Sequence, residues 1–373
     1  MKTIYPDVEH GVVNRASGSL FCYQGWPTVA RDEKGTLYVV SSSFRVGHVC
    51  PFGKTAFYVS HDEGKTWSYP TVINDTYMDD RDAGILYMGN GRLLVTWFTH
   101  SAHSYQNRWG DEYRKTHLSP IAYEAAKGVV ASYDSLSEKE KMSGSYVRIS
   151  EDYGITWSET IYVPVSAPHG PTLCRDGTLI YLGKNFYEED RIHLRDGKKA
   201  EIVCFASIDG GYTWEKRSSI EHPSWLTENE YLDEPHVIER SDGQLFGAFR
   251  VEGRKPYSVA TAISKDRGQT WGEIKCTDVS GSPPHLMFHS SGALICSIGR
   301  REAPFGQRAM ISYDEGETWS ELYVLDERAS SNDLGYPSTV ELDDGCLLTV
   351  YYQKAESDKH CSILYTKWRL EAK

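Results

Sequence analysis

Strand-length runs of alternating or continuous apolar residues, separated by clusters of Gly, Asp, Asn and Pro, extend along the chain. Segments such as TLYVV from Thr36, LLVTWF from Leu93 and SILYTKW from Ser362 carry the β-branched and aromatic content of strands. The pattern breaks between His100 and Ser145, where Ser119 and Pro120 read as N-cap and first residue of a helix through IAYEAAKGVVAS. The pattern predicts an all-β chain with a partly helical insertion over residues 100–145.

A repeat then fixes the architecture. The pattern S-x-D-x-G-x-T-W begins at Ser60, Ser150, Ser207, Ser264 and Ser312. Its Asp can bond turn N–H groups, its Gly permits positive φ, and its Trp packs where the chain re-enters a strand. A second repeat opens each unit with a strand and a tight turn: WPTVARDEKGTLYVV from Trp26, DAGILYMGNGRLLVTWF from Asp82, GPTLCRDGTLIYL from Gly170, EPHVIERSDGQLFGAF from Glu234, PPHLMFHSSGALICSI from Pro283 and YPSTVELDDGCLLTVYY from Tyr336. Six openings predict a six-bladed β-propeller, one domain over residues 1–373, with its insertion in the second blade. The sixth unit lacks the box, so TIYPDVEHGVV near the N-terminus is expected to supply its outer strand and close the ring, which removes free sheet edges.

Composition narrows the partners. Forty Lys and Arg against 52 Asp and Glu leave a net charge of −12 with no basic block, which argues against nucleic acid and anionic membrane. No run is long enough to span a bilayer, and the sequence as given opens without a signal-peptide pattern, so a cytoplasmic location is expected. The eight cysteines are scattered and read as reduced, mostly buried small side chains; nothing has metal-ligand spacing, and neither metal nor cofactor is expected. Oligomeric state is left open.

The five box aspartates recur once per blade at a peripheral hairpin and cannot converge on one substrate. Chemistry is expected instead where the openings meet the central funnel. The residues there are Trp26, Arg81 and Asp82, His169, Asp233, Glu234 and His236, His285 and Tyr336, with Arg250, Arg300 and Arg301 after inner strands and Arg45, His48, His100 and His103 in loops of the first two blades.

With these segments the chain resembles the sialidase (neuraminidase) family, whose BNR or Asp-box repeat matches the five boxes. EPHVIERSDGQLFGAFR resembles the family segment carrying its catalytic Glu and second arginine, and GYPSTVELDDG its nucleophilic Tyr segment. The resemblance implies Tyr336 as nucleophile with Glu234 as its base, Arg250 and Arg300 or Arg301 as two arms of a carboxylate-binding triad, and Asp82 as an acidic pocket residue. A neutral Tyr activated by Glu avoids driving a carboxylate against the anomeric carboxylate of a sialic acid. Three positions depart from the family: Trp26 stands where the first arginine belongs, Gln353 where a glutamate orients it, and the first-blade loop SSSFRVGHVCPFGKTAF lacks the acid/base Asp, leaving His48 as the replacement.

The expected function is therefore a sialidase-like exo-glycoside hydrolase removing a terminal acidic sugar from a glycan, with His48, Tyr336 and Glu234 catalytic and Arg250, Arg300, Arg301, Asp82, Trp26, Arg81, His236, His285 and His169 binding substrate. Trp26 is expected to stack on the sugar with Gln353 beside it. Two readings stay open: a lyase on uronic-acid sugars using the funnel histidines and Tyr336, and a non-catalytic glycan-binding propeller.

Overall fold

The computed structural model describes residues 1–16, 18–186, 201–355 and 358–371. Six antiparallel sheets form the blades of a propeller. Blade 1 runs outward through Tyr23–Arg31, Leu37–Arg45, Lys54–Ser60 and Thr71–Asn74. The innermost strands of blades 2, 4, 5 and 6 are Arg81–Tyr87, Tyr231–Glu239, His285–Phe288 and Leu334–Glu341. Blade 3 splits its inner strand into Val165–Ser166 and Thr172–Leu173, both paired with Leu179–Asn185.

Closure uses the N-terminal segment twice. Glu9–Asn14 pairs antiparallel with Ser362–Trp368 as the outer strand of blade 6, as the sequence predicts. Lys2–Ile4 instead adds a parallel fifth strand to blade 5 along Glu321–Asp326. The sharp break at Tyr5 and Pro6 lets one short segment serve two adjacent sheets.

The boxes are structural. In blade 1 the Ser60 hydroxyl donates to Asp62 Oδ1 at 2.9 Å and accepts the Gly64 N–H at 2.9 Å, while Thr66 donates to Asp62 Oδ2 at 2.6 Å. The same bonds recur at Asp152, Asp209, Asp266 and Asp314. Each box tryptophan wedges between its own blade and the preceding one: Trp67 meets Tyr365, Trp157 meets Phe57 and Trp319 meets Phe246, with Trp214 and Trp271 in the corresponding clusters.

The insertion forms three helices, α1 (Ala102–Arg108), α2 (Asp111–His117) and α3 (Pro120–Ser132). Ser119 caps α3, its hydroxyl accepting the Ala122 N–H at 3.3 Å ahead of Pro120. Among the described residues no helix is long and apolar enough to cross a membrane. All eight cysteines are free, with Cys276 and Cys346 half-buried and the other six buried.

Candidate active site

One backbone device builds the funnel floor. In blades 1, 2, 4 and 6 the inner strand carries a bulge in which two residues oppose one on the next strand: Trp26 and Pro27, Asp82 and Ala83, Glu234 and Pro235, Tyr336 and Pro337. The first residue of each pair is left-handed, with φ of 53° at Trp26, 52° at Asp82, 40° at Glu234 and 52° at Tyr336. Side chains this large rarely adopt that conformation, and a bulge turns the side chain out of the strand's normal alternation. Four strained positions therefore direct four side chains toward the centre. Blade 3 has Gly170 at the equivalent place, with φ of 75°, and contributes no side chain there.

Tyr336 and Glu234 meet. The Tyr336 hydroxyl donates to Glu234 Oε1 at 2.5 Å, and Arg250 Nη1 donates to Glu234 Oε2 at 2.7 Å. The second Arg250 amine meets Glu252 at 2.5 Å, and the guanidinium lies 4.6 Å from the Tyr257 ring centroid. Burial alone would raise the Glu234 pKa, but Arg250, Lys184 and the Tyr336 hydroxyl override it and hold it at about 2. Burial first, then the charges of Glu234 and Asp82, push the Tyr336 phenol well above its ordinary value, so its proton stays on the ring oxygen at rest. Lys184, which no sequence motif marks, bonds Asp233 at 2.7 Å next to this pair.

Of the two arginines that the sequence left as alternatives, Arg301 comes to the site. Its guanidinium lies 5.7 Å from the Tyr336 ring centroid, and its Nε and Nη2 bond no protein atom. Arg300 turns away, donating to the Ala303 carbonyl at 3.4 Å, because successive residues at the end of a strand face opposite sides.

Trp26 departs from the expectation of an open stacking face. It is 1% exposed, and the guanidiniums of Arg45 and Arg81 lie over its ring at 4.7 and 4.4 Å. Arg45 is itself held by Asp79, Nη2 to Oδ2 at 2.8 Å. Tyr352, His48 and Tyr336 surround the indole at 5.6, 5.0 and 6.3 Å. Trp26 thus organises cations and does not present a free face to a sugar. Gln353 is also buried, donating to Asp326 at 3.0 Å and accepting from Gln307 at 3.1 Å. Its strand neighbour Tyr352 takes the place beside Trp26.

His48 pairs with a carboxylate from the neighbouring blade 6. Its Nδ1 lies 2.8 Å from Asp333 Oδ1 and 3.0 Å from the Tyr23 hydroxyl, which also donates to Asp333 at 2.9 Å. A carboxylate can only accept here, so the pair fits the tautomer with its proton on Nδ1. Burial lowers the His48 pKa, against the opposing pull of Asp333. Asp333 stands three residues before Tyr336 in NDLGY; that proximity to the expected nucleophile was the available signal.

His169, His236 and His285 pack together as a buried cluster. His236 and His285 stack at 4.8 Å, with His169 at 5.8 and 5.0 Å from them and 6.5 Å from the Tyr336 ring. His236 Nδ1 accepts the Leu286 N–H at 2.9 Å and His285 Nδ1 the Thr339 N–H at 3.3 Å, so each ties its blade to the next. His169 Nδ1 meets the Thr28 hydroxyl at 3.1 Å. Burial lowers all three pKa values, to about 4 at His236. Among the described residues no group of three or more His, Cys, Asp or Glu is placed to hold a metal ion.

Asp82 is the remaining funnel acid, and its buried Oδ1 bonds no protein atom. Burial, with the Glu234 charge adding and Arg81 opposing, raises its pKa to about 7; burial raises the neighbouring Asp80 to about 7 as well. Between the ordinary carboxylate value of about 4 and about 7 the folded protein binds these protons more tightly than the unfolded chain, so stability falls as pH rises through that window. Asp82→Asn is expected to remove part of that fall. Melting temperature followed from pH 4 to 8 checks it, and an unaltered slope would show that Asp82 ionises as freely in the folded protein as in the unfolded chain.

No curated protein sequence matches the chain. Three solved structures show how widely its fold is shared. A Dyadobacter fermentans protein of unknown function aligns over 98% of this chain and 99% of its own, with a TM-score of 0.76 and 20% identity. The NanB sialidase of Streptococcus pneumoniae aligns over 96% of this chain and 70% of its own, at 0.67 and 15%. The GH93 α-L-arabinofuranosidase of Fusarium graminearum, solved with arabinobiose, aligns over 97% and 98%, at 0.63 and 13%. A BNR/Asp-box repeat model matches residues 58–69, around the first box. The BNR repeat-like domain model matches residues 95–350, and the chain belongs to that family, folded as a six-bladed propeller of the sialidase type.

Proposed function

We propose that the protein is an exo-acting glycoside hydrolase that releases a terminal acidic sugar. The observation that carries this reading is the 2.5 Å bond from Tyr336 to a Glu234 carboxylate whose other oxygen is fixed by Arg250. Tyr336 attacks the anomeric carbon as its proton passes to Glu234; the resting pKa values oppose that transfer, so it must accompany bond formation at a carbon becoming cationic. His48, oriented by Asp333, protonates the leaving oxygen through Nε2 and then takes a proton from the water that cleaves the tyrosyl intermediate. Arg250 is engaged by two carboxylates, so the substrate anion falls first to Arg301, whose Nε and Nη2 bond no protein atom, with Arg81, which overlies Trp26 and whose Nε lies 3.9 Å from Asp79, as the second arm. The resemblance of the fold to glycoside hydrolases supports the class.

The lyase reading draws less support, since burial lowers the pKa values of His169, His236 and His285, to about 4 at His236, which makes them weak bases for abstracting a carbon-bound proton. A panel of sialosides, uronides and neutral oligosaccharides, followed for new reducing ends and for ultraviolet-absorbing unsaturated products, tests the assignment. Hydrolysis of an acidic glycoside with retained anomeric configuration is expected. An unsaturated product selects the lyase, and tight binding without turnover selects a glycan-binding propeller.

Removal of the proton donor gives a second expectation. His48→Gln should lower kcat by about 10²–10⁴-fold on substrates with a poor leaving group and far less on those with a nitrophenolate. Because its acid step needs protonated His48, wild-type turnover of poor leaving groups should decline as pH rises through the lowered His48 pKa. Equal losses on both substrate types would remove His48 from proton transfer.

A further inference from the structure

The helical insertion lies against the part of the funnel that holds His48. Val46, Cys50, Leu118, Ala122 and Ala126 form one buried cluster, and Val49, Met78, Ala102, Tyr105 and Tyr133 another, against which Trp109 and Tyr113 pack. Val46, Val49 and Cys50 bracket His48, so the helices grip the loop that carries it on both sides. The buried Arg114 secures α2, bonding Asp111 at 3.1 Å and lying 5.5 Å from the Tyr105 ring.

This packing sets two aromatic side chains at the rim. Trp109 lies 5.9 Å from the Arg81 guanidinium, 5.6 Å from Tyr105 and 6.2 Å from His100. Tyr113 stacks on His117 at 3.9 Å and is close enough to Arg81 and Asp333 for their charges to act on its hydroxyl. Both are half-buried, each leaving part of its surface accessible. Neither belongs to the funnel floor, and neither touches Tyr336 or Glu234 among the described contacts.

We infer that Trp109 and Tyr113 are a leaving-group subsite, a platform on which the sugar ring behind the scissile bond rests. The inference rests on the hydrolase reading in one respect, the position of His48 as proton donor. A donor must touch the leaving oxygen, so the departing residue extends from that oxygen toward the wall beside His48, and that wall is the insertion. Its chemistry is aromatic, and the Arg81 cation beside Trp109 is assigned to the anion of the acidic ring, which suits the apolar C–H face of a neutral pyranose better than a second acidic sugar. The acidic ring occupies the arginine side and a neutral ring the insertion side.

The test compares leaving groups on one glycone in the full-length protein. Sialyl-lactose and a uronyl-galactose disaccharide are each set against the glycosyl fluoride of the same acidic sugar, with wild type, Trp109→Ala, Tyr113→Ala and the conservative Trp109→Phe. Each alanine variant should lower kcat/KM on the oligosaccharide about tenfold, mainly through KM, and Trp109→Phe should recover most of it. The fluoride, which has no ring to stack, should change less than about twofold. Calorimetric titration with free lactose supplies a readout besides turnover: weak binding to wild type should weaken about tenfold in the alanine variants. Equal losses on oligosaccharide and fluoride would make the insertion a mere support for the His48 loop, and no loss on either would make it a surface excursion; both overturn the inference. If no glycoside is turned over by any form, the hydrolase reading itself fails, whereas fluoride turnover with indifferent variants fails the subsite alone.

Discussion

Tyr336→Phe is expected to abolish turnover, by about 10³–10⁵-fold in kcat, while the propeller remains folded. The ring is retained, so its contacts with Trp26 and Tyr352 at 6.3 and 6.0 Å survive. What disappears is the one atom that forms the covalent bond. The loss also leaves Glu234 Oε1 without its donor in a buried site, which should cost about 1–3 kcal/mol of stability. Arg250 still neutralises the carboxylate through Oε2, so global unfolding is not expected. Steady-state kcat on the best substrate, with circular dichroism and a melting curve on the same sample, separates the two effects. Turnover within tenfold of wild type would move the nucleophile to Glu234, held ionised at a pKa of about 2, with Asp82 at about 7 as its acid partner.

The second large effect is on stability. Trp26→Ala should destabilise the protein by about 3–5 kcal/mol, the usual cost of truncating a fully buried Trp. For a chain of this size that corresponds to a fall in melting temperature of about 5 °C. The cost concentrates in one corner, where Arg45 and Arg81 lose the π-face that both overlie and His48 loses the ring at 5.0 Å that helps fix it. Activity should drop with stability. Trp26→Arg should be worse, since a third guanidinium would be forced between two existing ones with Asp79 already bonded to Arg45. Adding Gln353→Glu does not repair it: the new carboxylate would face Asp326, to which Gln353 now donates. Restoring the two family residues should thus yield a less soluble, less active protein, measured by melting temperature and expression yield. A soluble, thermally unaltered double variant would show that the corner is loosely packed.

Periodicity and the box repeat made the fold legible. A box reads the same wherever it stands because its bonds close within eight residues, and six X-P or equivalent openings marked the inner strands. The Tyr336 and Glu234 pair was legible only through the family resemblance, since 102 residues separate the two. Trp26 sits at a position aimed at the axis yet is covered there by Arg45 and Arg81, whose directions no local pattern sets. The burial of the three histidines has the same origin, since their Nδ1 partners, the Leu286 and Thr339 amides and the Thr28 hydroxyl, all come from other blades. Asp333 is not legible from the first-blade loop, because it arrives from blade 6, 285 residues away from His48.

The closure by residues 2–14 bears on how the ring forms. Lys2 pairs with Glu321 and His10 with Thr366, so these strands have no partner until blades 5 and 6 exist. Such distant pairings are entropically late and slow. Until then an open ring exposes raw sheet edges, and the N-terminal strands of one molecule can pair with the unfinished blades of another as readily as with their own. High concentration during refolding should therefore yield strand-exchanged dimers, which dilution would suppress.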